Sequence, residues 1–445
     1  MALPHDRVAL GIEHVRDAAP PLPPAPSAAN ILVANPGSIP ELTQLAVALA
    51  EHRLLRAYVT PVAFPEAGLR KPVAKLLPRV VVRRLERERA RRVVPSGVPA
   101  ARVRTTATAE EAVFTASQRL RLPEAVQGWL VRHRSVVFDR RVAGHHLETD
   151  DGAVVASRGA SYATFRRARE LGIPTVLDYP IAHHESSRRL LEEERKLRPE
   201  YADTLQGLDY PPTWLARLNA EIERADYLLV FSEVHRRSFE AAGVPSSRLL
   251  LAPLGVDVEL FSPSDAAEAE HSGDRFRVLF VGQLTQRKGI SYVLDGFQQA
   301  QLSNSDLLLV GRRVGRMPRV TDPRVHISPP MPRAMLPAVY RSADAFVFPS
   351  LVEGFAQTPL EAMACGLPVV VTENAFGGEV IEDGRNGFIV PIRNADAIAA
   401  RLRLLGSDPD LRRRMGQAAR ETATTFTWER YRRTVVRLLM SALAL

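Results

Sequence analysis

PSLVEGFAQTPLEAMACGLPVVVT, residues 349–372, reads as the end of a buried strand, a loop carrying Glu353, Gly354, Phe355 and Ala356, a helix opening near Pro359, and a second buried strand. Thr358 suits an N-cap, Pro359 suits the first helical position, and Glu361 lies three residues beyond Thr358, as a capping box requires. The apolar runs AFVFPS (345–350) and PVVVT (368–372) are those of strands buried on both faces. Strand, helix and strand in this order make a crossover unit of a parallel sheet. The helix N-terminus then opens beyond the sheet's carboxyl edge, where unpaired N–H groups and the helix dipole favour an anion. Gly354 lets a ligand approach the backbone closely.

The same alternation continues outward. FRVLFVG (276–282), DLLLVG (306–311), RVHISP (324–329) and GFIVP (387–391) complete one set of strands, with helices predicted at 289–298, 333–342, 359–365, 394–405, 409–424 and 427–444. A first set precedes it: NILVANP (30–36), AYVTPV (57–62), AVVAS (153–157), PTVLDYP (174–180), YLLVFS (227–232) and RLLLAPL (248–254). Between them FSPSDAAEAEHSGD (261–274) lacks apolar periodicity and reads as a linker. The expected fold is α/β, with two Rossmann-like doubly wound domains facing a central cleft. We expect a Pro-rich tail at 1–29, an N-terminal acceptor domain at 30–262, a C-terminal donor domain at 275–426, and a helix at 427–445 returning to the first domain.

Composition narrows the classes. The 445 residues are 46% hydrophobic and 24% charged, an ordinary globular balance. The single cysteine, Cys365, excludes an internal disulfide and a cysteine-built zinc cage. No apolar stretch is long enough for a signal or a membrane span, so the expected location is cytoplasmic. Residues 70–92 hold ten Lys/Arg against Glu86 and Glu88, a local +8 within a total of +9. A nucleic-acid binder usually spreads such charge over a domain face, so no nucleic-acid partner is expected. Neither a phosphate-binding P-loop, a G-x-G-x-x-G turn, H-E-x-x-H nor C-x-x-C occurs, which removes the usual support for ATPase, NAD-dehydrogenase and zinc-hydrolase readings.

Four stretches, VGQLTQRKG (281–289), LPAVYRSADAFVFPS (336–350), EGFAQTPLEAMACGLPVVVT (353–372) and EDGRNGFIVP (382–391), stand in the order and spacing of one known family. The glutamate-x7-glutamate pair Glu353 and Glu361 resembles the signature of the family-four, or group 1, glycosyltransferases, which are retaining enzymes of the GT-B fold. The likeness extends over about residues 276–430, while the first half is similar in layout alone. It implies that Glu353 faces the hydroxyls of the donor sugar and Glu361 those of the nucleotide ribose. Ionised carboxylates accept two such bonds at once. The alternative role for Glu361 is the capping box. It also implies diphosphate-binding cations at Arg287 and Lys288, which would stabilise a leaving group that gains charge in the transition state. Many relatives carry arginine where Gln283 stands, a departure for which Arg287 is expected to substitute. Gly282, Gly354, Phe355, Ala356 and Thr358 complete the donor loop.

On the first domain Gly37, in NPGS (35–38), would bring backbone N–H groups to the donor phosphate. Asp178, His183 and His184, in DYPIAHHE (178–185), end a strand on the same edge and should face the crevice, on the acceptor side. His183 is the catalytic candidate there; the alternative packs one histidine in the core and leaves the other solvated. The partners expected are a nucleotide sugar and a glycan, lipid-linked or small-molecule acceptor, with no cofactor and no metal, since the cations and the helix N-terminus neutralise the diphosphate. A nucleotide-sugar epimerase of the same fold and a non-catalytic membrane or polyanion adaptor are the competing readings. Residues 70–92 also predict a basic amphipathic helix, Val81 and Leu85 on one face and Arg79, Arg83, Arg87 and Arg91 on the other, suited to an anionic membrane surface.

Overall fold

The structure, a computed structural model, describes residues 30–37, 39–64, 94–120, 122–263 and 275–444. The predicted basic helix, the Pro-rich tail and most of the linker lie outside the described residues.

Seven strands form the first sheet: β1 (Ile31–Ala34), β2 (Leu55–Thr60), β3 (Val103–Thr105), β4 (Ala153–Ser157), β5 (Thr175–Asp178), β6 (Tyr227–Val230) and β7 (Leu249–Leu251). They lie in the order β3-β2-β1-β4-β5-β6-β7, every pair parallel. Six form the second: β8 (Phe276–Val281), β9 (Ser305–Val310), β10 (Val325–Ser328), β11 (Ala345–Phe348), β12 (Val369–Thr372) and β13 (Phe388–Val390). Their order is β10-β9-β8-β11-β12-β13, again all parallel. Both sheets reverse direction beside their first strand, between β1 and β4 and between β8 and β11. Loops diverge there and open a crevice at the carboxyl edge. The loops holding Gly37, Arg287, Lys288 and Glu353 leave from these two points.

The apolar runs become strands because they are covered on both sides: β1, β11 and β12 are buried throughout. The exceptions are two edge strands: β10 has no fully buried residue, and β3, Val-Arg-Thr with two exposed residues, has no apolar run to announce it. The predicted capping box does not form. The helix Gln357–Ala364 starts one residue before Thr358, its N-cap is Ala356, and no side chain caps it.

The chain's last helix, Trp428–Ala442, crosses back to the first domain as expected. Tyr431 donates its hydroxyl to the Glu41 carbonyl at 3.2 Å, and Tyr227 donates to the Ala442 carbonyl at 2.7 Å. The crossing runs beside Gly255, where any Cβ would collide with the backbone of Thr427 and Trp428. No helix among the described residues is long and apolar enough to cross a membrane.

Candidate active site

Two loops of the second domain are laced together. After β8 the single turn Gln286–Lys288 closes on Gly289 in the left-handed region, φ 74°, where a side chain would strike the Pro349 carbonyl. Leu351 N–H donates to the Arg287 carbonyl at 2.9 Å, and Ser350 Oγ lies 3.1 Å from the same oxygen. This lacing brings charges from two loops to one point. Glu353 Oε1 lies 2.6 Å from Lys288 Nζ and 3.0 Å from Arg287 Nη1, and accepts from Ser350 Oγ at 2.7 Å. Arg287 Nη1 also donates to the Val352 carbonyl at 2.7 Å, and Lys288 Nζ stands 4.9 Å from the centre of the Phe348 ring.

Burial governs the proton affinities here. It drives Lys288 down to about 8 even though the Glu353 carboxylate pulls the other way. Burial also works to raise Glu353, but Lys288, Arg287 and the Ser350 hydrogen bond outweigh it and hold the carboxyl below its usual range. At neutral pH two cations face one carboxylate, and the point is positive by one charge.

The remaining predicted donor residues divide. Glu361 is buried and accepts from the Tyr340 hydroxyl at 2.9 Å, with Arg333 Nη2 at 3.2 Å, so its carboxylate serves a neighbouring helix instead of a cap. Burial raises its pKa against both partners. Gly354 is where the domains touch: its carbonyl accepts from Ser232 Oγ at 2.7 Å, and a Cβ would stand 2.5 Å from the Pro180 carbonyl oxygen. Phe355 packs on Phe376 with ring centres 5.3 Å apart, and Ala356 N–H is taken by the Ala375 carbonyl at 2.9 Å. Gly282 lies under Gly311, whose Cβ would overlap the Gly282 carbonyl. Thr358 is half-buried in the first turn of its helix.

On the facing domain three expectations change. Gly37 donates its N–H to Asn35 Oδ1 at 3.2 Å, so that group is turned into its own loop and away from the cleft. Asp178 is fully buried instead of facing the crevice; Ser157 Oγ donates to Oδ2 at 3.3 Å, Oδ1 has no partner, and burial beside Glu41 raises its pKa well above the usual value. Neither histidine is solvated. His183 caps the helix His184–Leu197 by accepting Glu185 N–H at Nδ1, 3.3 Å, which leaves Nε2 to carry the proton. Burial, helped by His184 and Arg158, lowers its pKa to about 4, so it is neutral at physiological pH. His184 Nδ1 lies 3.0 Å from the Tyr179 hydroxyl. Ser350, Arg333, Tyr340 and Arg158 were not anticipated. Ser350 closes the quoted FVFPS run and precedes Glu353 by three, and Tyr340 lies in the quoted stretch 336–350, while Arg333 and Arg158 reach the site from outside the quoted motifs.

The sequence model of the family described as glycosyl transferases group 1 matches residues 262–422. A GDP-mannose-dependent alpha-(1-6)-phosphatidylinositol monomannoside mannosyltransferase from Mycolicibacterium smegmatis is 30% identical over 271 residues, covering 56% of this chain and 69% of that protein. The chain belongs to the group 1 glycosyltransferases. A D-inositol 3-phosphate glycosyltransferase from Kribbella flavida is also 30% identical, over 49% of this chain, which thus spans 57% of that relative's length. Anabaena HepE, solved in complex with UDP and glucose, superposes with a TM-score of 0.59 over 93% of this chain and 99% of its own, at 16% identity. That likeness bears on the fold, and with the two sheets it establishes GT-B.

Proposed function

We propose that this group 1 glycosyltransferase moves a hexose-type sugar from a nucleoside diphosphate donor to an acceptor hydroxyl with retention of anomeric configuration and without a metal. The observation that carries the reading is the meeting of Lys288, Arg287 and Glu353 at the switch point of the second sheet, against the first domain. The donor diphosphate would take the two cations now paired with Glu353, beside the uncapped N-terminus of Gln357–Ala364. Glu353, released, would accept from sugar hydroxyls. The acceptor oxygen then bonds to the anomeric carbon on the face the phosphate leaves. The carbon–oxygen bond to phosphate breaks, and the acceptor's proton passes to the departing phosphate oxygen. Lys288 and Arg287 stabilise the charge that grows there. Glu361 would exchange its Tyr340 or Arg333 contact for ribose hydroxyls. His183 Nε2–H would donate a hydrogen bond to sugar or acceptor.

The names of the relatives suggest UDP and GDP sugars as donors, and inositol phosphates or phosphatidylinositol glycans as acceptors, to try first. A thermal-shift screen of nucleoside diphosphates and their sugars, followed by assay of donor turnover with and without acceptor, tests the reading. Donor conversion without any acceptor would favour the epimerase, and no nucleotide binding would favour the adaptor. Peripheral attachment to an anionic membrane is a further proposal, supported by the sequence of residues 70–92 and checked by salt-dependent sedimentation with anionic vesicles.

A further inference from the structure

Arg158 follows β4 at the switch point of the first sheet and is partly exposed. Its guanidinium lies between two phenols, 5.1 Å from the Tyr179 ring centre and 5.6 Å from that of Tyr210. Cation–π contacts occupy the faces of a guanidinium, and the Tyr179 and Tyr210 hydroxyls take up part of its in-plane N–H set. Its Nε is buried without a partner, and among the described residues no carboxylate pairs with it.

The fold places an acid close by but uses it elsewhere. Glu221 accepts from the N–H groups of Gly159, Ser161 and Tyr162 at 2.6, 3.2 and 3.2 Å and pairs with Arg217. The backbone beside Arg158 is thereby satisfied, while the arginine's charge has only the two phenols beside it and its Nε has no partner. A cation held in this way is matched by an oxyanion that a ligand brings, and a planar fork suits two phosphoryl oxygens. The site borders the proposed reaction centre. Tyr179 touches His184, and the next residue, Pro180, is the one packed against Gly354 beside Glu353.

We infer that Arg158, flanked by Tyr179 and Tyr210, anchors an acceptor subsite for a phosphoryl group, carried either by a small soluble molecule or by a lipid headgroup. The inference rests on the reading of the cleft as a donor–acceptor site. Inorganic phosphate is the probe, titrated by calorimetry into the full chain saturated with UDP or GDP, so that the donor cations are already occupied. Phosphate should bind, R158Q should weaken it by about tenfold or more, and R158K should bind better than R158Q, with nucleotide affinity unchanged in both variants. Equal affinity in wild type and R158Q, or no phosphate binding to the wild type, overturns the subsite. So does an R158Q variant that loses nucleotide and phosphate affinity in parallel, since that is the mark of a structural arginine. If neither nucleotide binds the wild type, the proposed function fails instead. The titration without nucleotide, comparing R158Q with K288A, then still decides where phosphate goes. Displacement of phosphate by D-inositol 3-phosphate points to a soluble acceptor, and displacement by phosphatidylinositol vesicles alone points to a headgroup.

Discussion

Lys288 and Glu353 each hold a charge that burial opposes, and each holds it because of the other. Neutralising one must therefore alter what the other can bind. In E353Q the amide keeps the shape and frees Arg287, while Lys288 loses the carboxylate that supports its charge and regains that support from a bound diphosphate, so nucleoside diphosphate affinity should stay within about tenfold of the wild type. Sugar transfer should fall by about a thousandfold or more, because the group facing the sugar hydroxyls has lost its charge. Calorimetry and a transfer assay read the two effects separately, and turnover within about tenfold of wild type would remove Glu353 from the reaction. The lysine predicts a pH effect of definite sign. Its folded pKa is depressed to about 8, so above that pH it loses the charge that a diphosphate needs. Binding then requires proton uptake, and affinity should fall with each further pH unit above about 8. K288R, which stays charged, should show no such fall; a decline of equal slope in both proteins would place the titration elsewhere.

The helix His184–Leu197 joins the two domains through one buried carboxylate. Glu194 accepts from Gln286 Nε2 at 2.7 Å, the Tyr292 hydroxyl at 2.8 Å and Arg393 Nε at 2.8 Å, all from the second domain. E194A would strand these donors, so we expect a loss of about 3 kcal/mol in denaturant unfolding, with E194Q losing less. A loss below about 0.5 kcal/mol would mean that the network does not hold the domains. At this scale the sequence is readable where a strand is covered on both sides, because burial writes itself as an unbroken apolar run: β1 and β11 are of this kind, and β12 as far as its closing threonine. It is silent where partners come from afar. The quoted loop shows Glu361 three residues after Thr358, and nothing in that spacing tells that Tyr340 and Arg333 claim the carboxylate. Asp178 is misread for a different reason. Its place at the carboxyl end of β5 is legible, but the pleat turns its side chain to the sheet face shared with Glu41, beneath Tyr431 of the returning helix. His183 is legible as a residue of the cleft edge, yet its use as an N-cap depends on where the next helix starts.

Taken as a whole, the molecule buries acids that it keeps protonated and histidines that it keeps neutral, and these two sets act on stability in opposite directions. Burial raises Glu41 to about 7, Glu379 to about 7 and Asp178 well above its usual value. Such a carboxyl binds its proton more tightly folded than unfolded. Its stabilising contribution is full below the unfolded pKa near 4.5 and is lost as pH rises through the folded one. Burial lowers His183 to about 4 and His235 to about 3, so these rings oppose folding in acid, where the unfolded chain takes up protons that the folded chain resists; that effect ends near their ordinary 6.5. Between about pH 6.5 and 8 the unfolded histidines give up their remaining protons, a smaller contribution of opposite sign, while the buried carboxyls lose theirs from the folded state. Above about 8 Lys288 reverses the trend, because its folded form gives up a proton that the unfolded chain retains up to 10.5. The melting temperature should therefore fall from pH 6.5 to 8, by a few degrees, because the folded pKa near 7 of Glu41 and Glu379 lies inside that window. The double variant E41Q/D178N, with neutral groups of nearly the same shape, should reduce that fall by at least about half. Calorimetric scans at pH 6.5, 7.2 and 8 decide it. A flat or rising melting temperature in the wild type, or a double variant with the wild-type slope, would show that the acids beneath the returning helix do not titrate in this range.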